Sequence, residues 1–174
     1  MIIYKKNMNG IINYISIFVI IFYFNTSNAQ NAVLCNYEFK IKTDYYESTY
    51  KSSLYFTNQE SKFEIEYNFD EIVSKESVYY NYSKPFFVLK FDDYNKLVII
   101  DSIKNLNWIL IDEEKEINGY KCKKAMTTFR GRSYIAWYAE EIPCKSGPYK
   151  FIGLPGLIFQ ITDNKNVSFE LKSL

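Results

Sequence analysis

Apolar and polar residues alternate along most of the chain. Tyr37, Phe39 and Ile41 alternate with Glu38, Lys40 and Lys42, and Phe63, Ile65 and Tyr67 stand opposite Glu64 and Glu66. Period two is the pattern of a strand with one buried side. The same reading gives strands at Leu54–Thr57, Val78–Tyr82, Phe86–Phe91, Leu97–Asp101 and Trp108–Ile111. Asp70–Ser77 reads as two helical turns or a loop, and the charged run Asp112–Glu116 as a solvated turn. Short strands every ~8–12 residues with polar breaks predict an antiparallel, mainly β domain.

Two hairpins close the chain. Tyr120–Phe129 and Ser133–Ile142 flank Arg130-Gly131-Arg132, and a tight turn there sets Phe129 opposite Arg132. Leu157–Thr162 and Val167–Leu171 flank residues 163–166. Partners across a hairpin share a face. Ile161 is therefore expected opposite Val167, Phe159 opposite Phe169, and Leu157 opposite Leu171. That parity excludes a two-residue turn and calls for three or five loop residues.

Between the hairpins lies Gly147–Ile158, which holds Gly147, Gly153 and Gly156. Leu154-Pro155-Gly156-Leu157 fits a type II turn, with positive φ expected at Gly156. A corner of this kind lets a sheet bend. The stretch is no phosphate loop, because it lacks the Gly-x-x-x-x-Gly-Lys pattern and no helix follows. With 17 Tyr and 14 Phe the strand propensity is high throughout. The predicted architecture is a single antiparallel, strongly twisted sheet; a half-open barrel is one form it can take, and a closed β-sandwich is the rival.

Residues 1–29 read as a signal peptide. Lys5 and Lys6 precede the apolar run Ile11–Phe24, and Ser27-Asn28-Ala29 is a cleavage site. Residues 30–174 then form one domain with no transmembrane helix, carrying 19 basic and 20 acidic groups. Nothing in that balance points to nucleic acid. The charge is uneven: residues 119–151 carry +5 and residues 30–118 carry −6. Two halves attracting each other is the plainer reading, and a basic patch for an anionic partner the sharper one.

The chain has no histidine. That removes Ser-His-Asp triads, Cys-His pairs and every His-ligated metal site. Cys35, Cys122 and Cys144 form no short-spaced cluster, so no metal or cofactor is expected. In an oxidising compartment one disulfide is expected among them, with the pairing open. Glu140 and Glu141 are the candidate carboxylate pair, but adjacent strand residues point to opposite faces and do not converge. No catalytic residue emerges, and without histidine or a Cys-x-x-Cys pair the chain is not expected to be an enzyme. Tyr134, Trp137, Tyr138 and Tyr149 form an aromatic cluster beside the glycines, which is core or else lines an apolar groove; Tyr134, Trp137, Tyr138 and Leu157 are the candidate lining of that groove.

The hexapeptide Gly153, Leu154, Pro155, Gly156, Leu157, Ile158 resembles the signature of the GLPGLI family. The runs Ile117–Ala125, Ala136–Tyr138, Glu141–Pro143 and Gly147-Pro148 resemble it too, so the likeness covers Ile117–Asp163. It implies an exported protein of the periplasm or cell surface of a Gram-negative bacterium, with no reaction attached. Three functions follow as expectations. The first is a non-catalytic interaction or structural module of the envelope, with a protein partner. The second is a periplasmic carrier of an apolar or lipid-like ligand. The third is an enzyme using a carboxylate pair or a free thiol.

Overall fold

The computed structural model describes residues 32–69, 72–84, 86–92, 97–102 and 106–174. The expected signal peptide and its cleavage site lie outside the described residues. Among these residues there are eleven strands: β1 Val33–Lys42, β2 Glu47–Phe56, β3 Glu60–Phe69, β4 Ile72–Asn81, β5 Phe86–Phe91, β6 Val98–Ser102, β7 Ile109–Ile117, β8 Tyr120–Phe129, β9 Arg132–Ala139, β10 Leu157–Thr162 and β11 Val167–Ser173. They form one antiparallel sheet in the order β6-β5-β4-β3-β2-β1-β11-β10-β9-β8-β7. The expected single sheet is therefore present, and it is open rather than a sandwich. β6 and β7 are its two edges.

Register carries the alternation across the whole sheet. Cys35, Leu54, Phe63, Val78 and Leu89 stand opposite one another on β1 to β5, and all five are buried. Phe39, Phe169, Ile161, Ala136 and Ala125 continue the buried face through β11, β10, β9 and β8. Burying a large apolar side chain contributes about 1.5–3 kcal/mol, so this inner face is the main source of stability. The ladder includes the stacked pair Phe39–Phe169, with ring centres 4.6 Å apart.

Among the described residues no second sheet covers that face. The segment between β9 and β10, residues 140–156, folds against it instead. Phe151 packs on Phe129 and Tyr134, with ring centres 5.6 and 4.8 Å away. The Ser146 and Ser61 hydroxyls lie 2.8 Å apart, which ties the segment to β3. Lys150 Nζ donates to Asp101 Oδ2 at 2.8 Å, which ties it to β6. The Tyr37 hydroxyl donates to the Ile158 carbonyl at 2.6 Å where the segment enters β10. A connection this long is uncommon in a compact domain unless it has work to do.

Four sequence expectations change. Residues 72–77 are strand, not helix or loop. Glu76 stands opposite Ile65 and Phe91 on the inner face, and a carboxylate there breaks the apolar alternation. Asp112–Glu116 is not a turn but part of β7, with a bulge between Ile111 and Glu114. The last hairpin keeps the expected parity but shifts by two: Ile161 faces Phe169 and Thr162 faces Ser168. Asp163 drives the shift, since its carboxylate accepts the backbone N–H of Lys165, Asn166 and Val167 and so organises the loop. Finally, Gly156 does not have positive φ; Gly153 does, at +96°. Gly156 is required for closeness: a Cβ there would sit 2.1 Å from the Ala139 carbonyl oxygen. The β8–β9 hairpin pairs Phe129 with Arg132 as expected.

Candidate functional site

The sheet curls enough for its two ends to border one cavity. Phe87 and Asp101 of β5 and β6 line it on one side, and Ile109, Met126 and Thr127 of β7 and β8 on the other. Its volume is about 780 Å³. Much of the lining is polar: Asp101, Ser102, Asn107, Thr127, Thr128, Arg130, Ser133 and Lys150. Phe129 and Arg130 also border a second cavity of about 390 Å³ on the inner face. Phe39, Tyr67, Tyr134, Tyr149, Phe151 and Phe169 supply most of that second lining, together with Glu76 and Arg132. The two share Phe129 and Arg130, so together they form a groove with a hydroxyl-rich half and an aromatic half.

Asp101 lines the first cavity and is bonded to Arg130, which borders both. Its Oδ2 accepts from both Lys150 Nζ and Arg130 Nη2, each at 2.8 Å. The bond from Lys150, then the charges of Lys150 and Arg130, hold the Asp101 carboxyl below its ordinary range, against a smaller upward push from burial. The Lys150 side chain is 3 % exposed. A buried ammonium needs a partner, and Asp101 is the anion bonded to it.

Glu76 behaves in the opposite way. Burial raises its pKa, while the Tyr67 hydroxyl, donating to Oε2 at 3.0 Å, and the charge of Lys150 oppose the rise. Burial also raises the Tyr149 phenol to about 12, with the charge of Glu76 adding to it. Tyr149 has φ +56°. A bulky side chain in that region carries roughly 1–3 kcal/mol of strain, and such strain clusters at functional sites. The strained backbone turns the Tyr149 ring into the aromatic cavity.

The sequence-predicted groove residues do not meet here. Tyr134 lines the inner cavity. Tyr138 and Leu157 are fully buried core. Trp137 lies on the other face of β9, with Lys115 Nζ 4.2 Å and Lys124 Nζ 5.7 Å from its ring centre. Alternation along the strand forces this split, because adjacent residues point opposite ways. Within the hexapeptide, Leu154, Gly156, Leu157 and Ile158 are buried, whereas Gly153 and Pro155 are exposed. Glu140 and Glu141 are exposed in the turn after β9, and Glu140 pairs with Lys123. The expected disulfide is not formed in the structure: Cys35, Cys122 and Cys144 are free and buried. The basic run of residues 119–151 is largely matched by acids, with Lys121 on Glu114, Lys124 on Glu113, and Arg130 and Lys150 on Asp101.

Tyr149, expected in the aromatic cluster, does line the second cavity beside Tyr134. Sequence reasoning missed Glu76, Asp101 and Lys150, and two signals pointed to Lys150. Lys150 sits between Tyr149 and Phe151 in an apolar run, and residues 140–156 are long for a simple corner.

A family model described as "N-glycanase peptide, N-terminal domain" matches residues 45–173. Two crystal forms of PNGF-II share the fold. The C2 form aligns with TM-score 0.60 at 16 % identity over 80 % of this chain and 27 % of the PNGF-II chain. The P21 form aligns with TM-score 0.58 at 18 % identity over 83 % and 28 %. This chain thus spans little more than a quarter of those proteins. A DUF1329 family protein from Desulfovibrio piger aligns at only 0.37, with 11 % identity over 80 % of this chain and 68 % of that one. No curated protein matches the chain. The expectation of a protein outside enzymology is corrected by the family match, since the family is that of an N-glycanase domain. Absence of histidine had carried that expectation, and it bears only on histidine chemistry.

Proposed function

The chain belongs to the family of N-glycanase N-terminal domains, and from that premise we propose that its curled sheet binds the glycan of a glycopeptide for an N-glycanase-type reaction. The observation that carries this reading is the groove itself. A saccharide offers hydroxyls on its rim and apolar C–H faces on its ring. The hydroxyl-rich half answers the first with Asp101, Asn107, Thr127, Thr128 and Ser133, and the aromatic half answers the second with Tyr149, Phe129 and Phe151. Aromatic groups with one polar end suit a surface that is half wet. Glu76, held toward its neutral form, can both donate to and accept from a sugar hydroxyl or amide.

A carrier of purely apolar ligands fits less well. Two of its named residues, Tyr138 and Leu157, are packed core, and the groove holds two carboxyl groups and three cations. Export is part of the proposal, supported by the basic, apolar and small-residue order of residues 1–29. Among the described residues no helix is long and apolar enough to cross a membrane.

The test is a backbone NMR titration of the chain with a free N-glycan oligosaccharide. Amide shifts should concentrate at residues 127–130 and 149–151. Shifts confined to the outer face, or none at millimolar sugar, reject the reading.

A further inference from the structure

Cations outnumber acids along the groove. Among the described residues, Arg130, Arg132 and Lys150 line its two cavities against Asp101 and Glu76. Asp101 takes two of the cations at once, since Arg130 and Lys150 both donate to its Oδ2 at 2.8 Å. Glu76 is held differently: its Oε2 accepts from the Tyr67 hydroxyl at 3.0 Å, and burial disfavours its charged form. Arg132 reaches Asp163 Oδ2 at 3.4 Å, which is long beside the ~2.7–2.9 Å of a well-made charged bond. Asp163 is committed elsewhere, because its Oδ1 accepts three backbone N–H groups.

The two arginines sit where local structure does not ask for them. Phe129 pairs with Arg132, so Arg130 and Gly131 are the central residues of the β8–β9 turn, with φ of +49° and +79°. Asn or Asp is the usual first residue of such a turn. Arg132 opposes Phe129 and precedes the buried Tyr134 by two, so it starts the inner face of β9. There it interrupts the apolar alternation as Glu76 does on β4. Both arginines line the aromatic cavity, and their side chains are 61 and 52 % exposed. They therefore form part of its solvent-facing rim. Tyr134, Tyr149 and Phe151 line the same cavity.

We propose that the aromatic cavity is a subsite for a carboxylate-bearing sugar unit, with Arg130 and Arg132 holding the carboxylate and the rings of Tyr134 and Tyr149 taking the apolar face of the pyranose. The inference rests on the glycan reading and adds an acidic unit to it. A guanidinium is a planar fork that matches both oxygens of a carboxylate, whereas a sugar hydroxyl answers one of its donors. It is also weakly hydrated, so it pairs at a half-wet rim at lower desolvation cost than an ammonium. The volume of about 390 Å³ falls within the range of small-ligand sites, about 300–1,000 Å³.

The experiment titrates the full chain with methyl β-D-glucuronide and with methyl β-D-glucoside, which differ only in a carboxylate for a hydroxymethyl group. Binding is followed by backbone NMR. The glucuronide should bind about tenfold more tightly, the worth of one hydrogen bond to a charged group, with shifts at residues 130–134 and 149–151. Added salt should weaken the glucuronide and spare the glucoside. Arg132→Gln should bring the two affinities together, with circular-dichroism melting as in wild type. Arg132→Lys keeps the charge but loses the fork, and it should lose most of the preference too. Equal affinities in the wild type overturn the proposal and leave the glycan reading standing. Inorganic phosphate that displaces the glucuronide at equal concentration also overturns it, since the arginines would then take any anion. Binding of neither glycoside overturns it as well, and the N-glycan titration then decides the glycan reading by itself. Glucuronide binding without N-glycan binding would keep the carboxylate site and overturn the glycan reading.

Discussion

Gly156 lies so tightly against Ala139 that a methyl group on its α-carbon would stand 2.1 Å from the Ala139 carbonyl oxygen and 2.8 Å from the Glu140 α-carbon. Both obstacles are backbone, so neither can rotate away. Gly156→Ala is expected to cost roughly 3 kcal/mol, the upper end of overpacking effects. Gly119 is the control. Its φ is +81° but nothing lies within 4 Å of its missing Cβ, so Gly119→Ala should cost only about 1 kcal/mol of backbone strain. Urea denaturation of both variants checks the order, and equal midpoints would remove the close approach from the account.

Glu76 makes a pH prediction. Its folded pKa is raised, first by burial. A group of that kind contributes stability that is fully present below its unfolded pKa and lost as pH rises through its folded value. Glu76→Gln removes the ionisation and keeps an acceptor for the Tyr67 hydroxyl. The variant should melt above wild type at pH 8, and the gap should close at pH values below the ordinary glutamate range. A gap that widens on acidification contradicts the buried carboxyl.

Asp101 runs the other way. Its folded pKa is lowered, chiefly by the bond from Lys150. Its contribution is present above the unfolded pKa and lost as pH falls through the folded one. Lys150→Met keeps the buried stem and deletes the ammonium. NMR titration of the Asp101 carboxyl should then show its pKa moved up toward the usual carboxylate range. An unmoved titration would mean that Arg130 alone sets it.

The thiols give a simple readout. Burial is the first cause that lifts Cys35 to about 12 and Cys122 and Cys144 to about 11. The thiolate is the reactive form, so a disulfide-exchange reagent at pH 8 should label none of the three in the folded chain and all three in guanidinium chloride. Fewer than three in the denaturant would show a disulfide.

The strands were legible from the sequence wherever one face was purely apolar. Phe86–Phe91 matches β5 and Leu157–Thr162 matches β10 residue for residue. Legibility failed where function or a close approach breaks the rule. Glu76 hid the first half of β4 because a carboxyl on the inner face spoils period two. Gly156 suggested a turn, since a glycine needed for proximity looks in sequence like one needed for positive φ. The partner of Lys150 was hidden for another reason. It depends on residues 140–156 lying across the inner face to reach β3 and β6, and no local pattern encodes that path.

The central claim is that the groove between Asp101 and Tyr149 binds a glycan. Isothermal titration of the full chain with a free N-glycan oligosaccharide tests it most directly, run beside Tyr149→Ala and Thr127→Val. The account predicts measurable, saturable heat with wild type and at least a tenfold loss of affinity in each variant, all three showing the same circular dichroism. No binding to wild type, or the same affinity in all three, would contradict it.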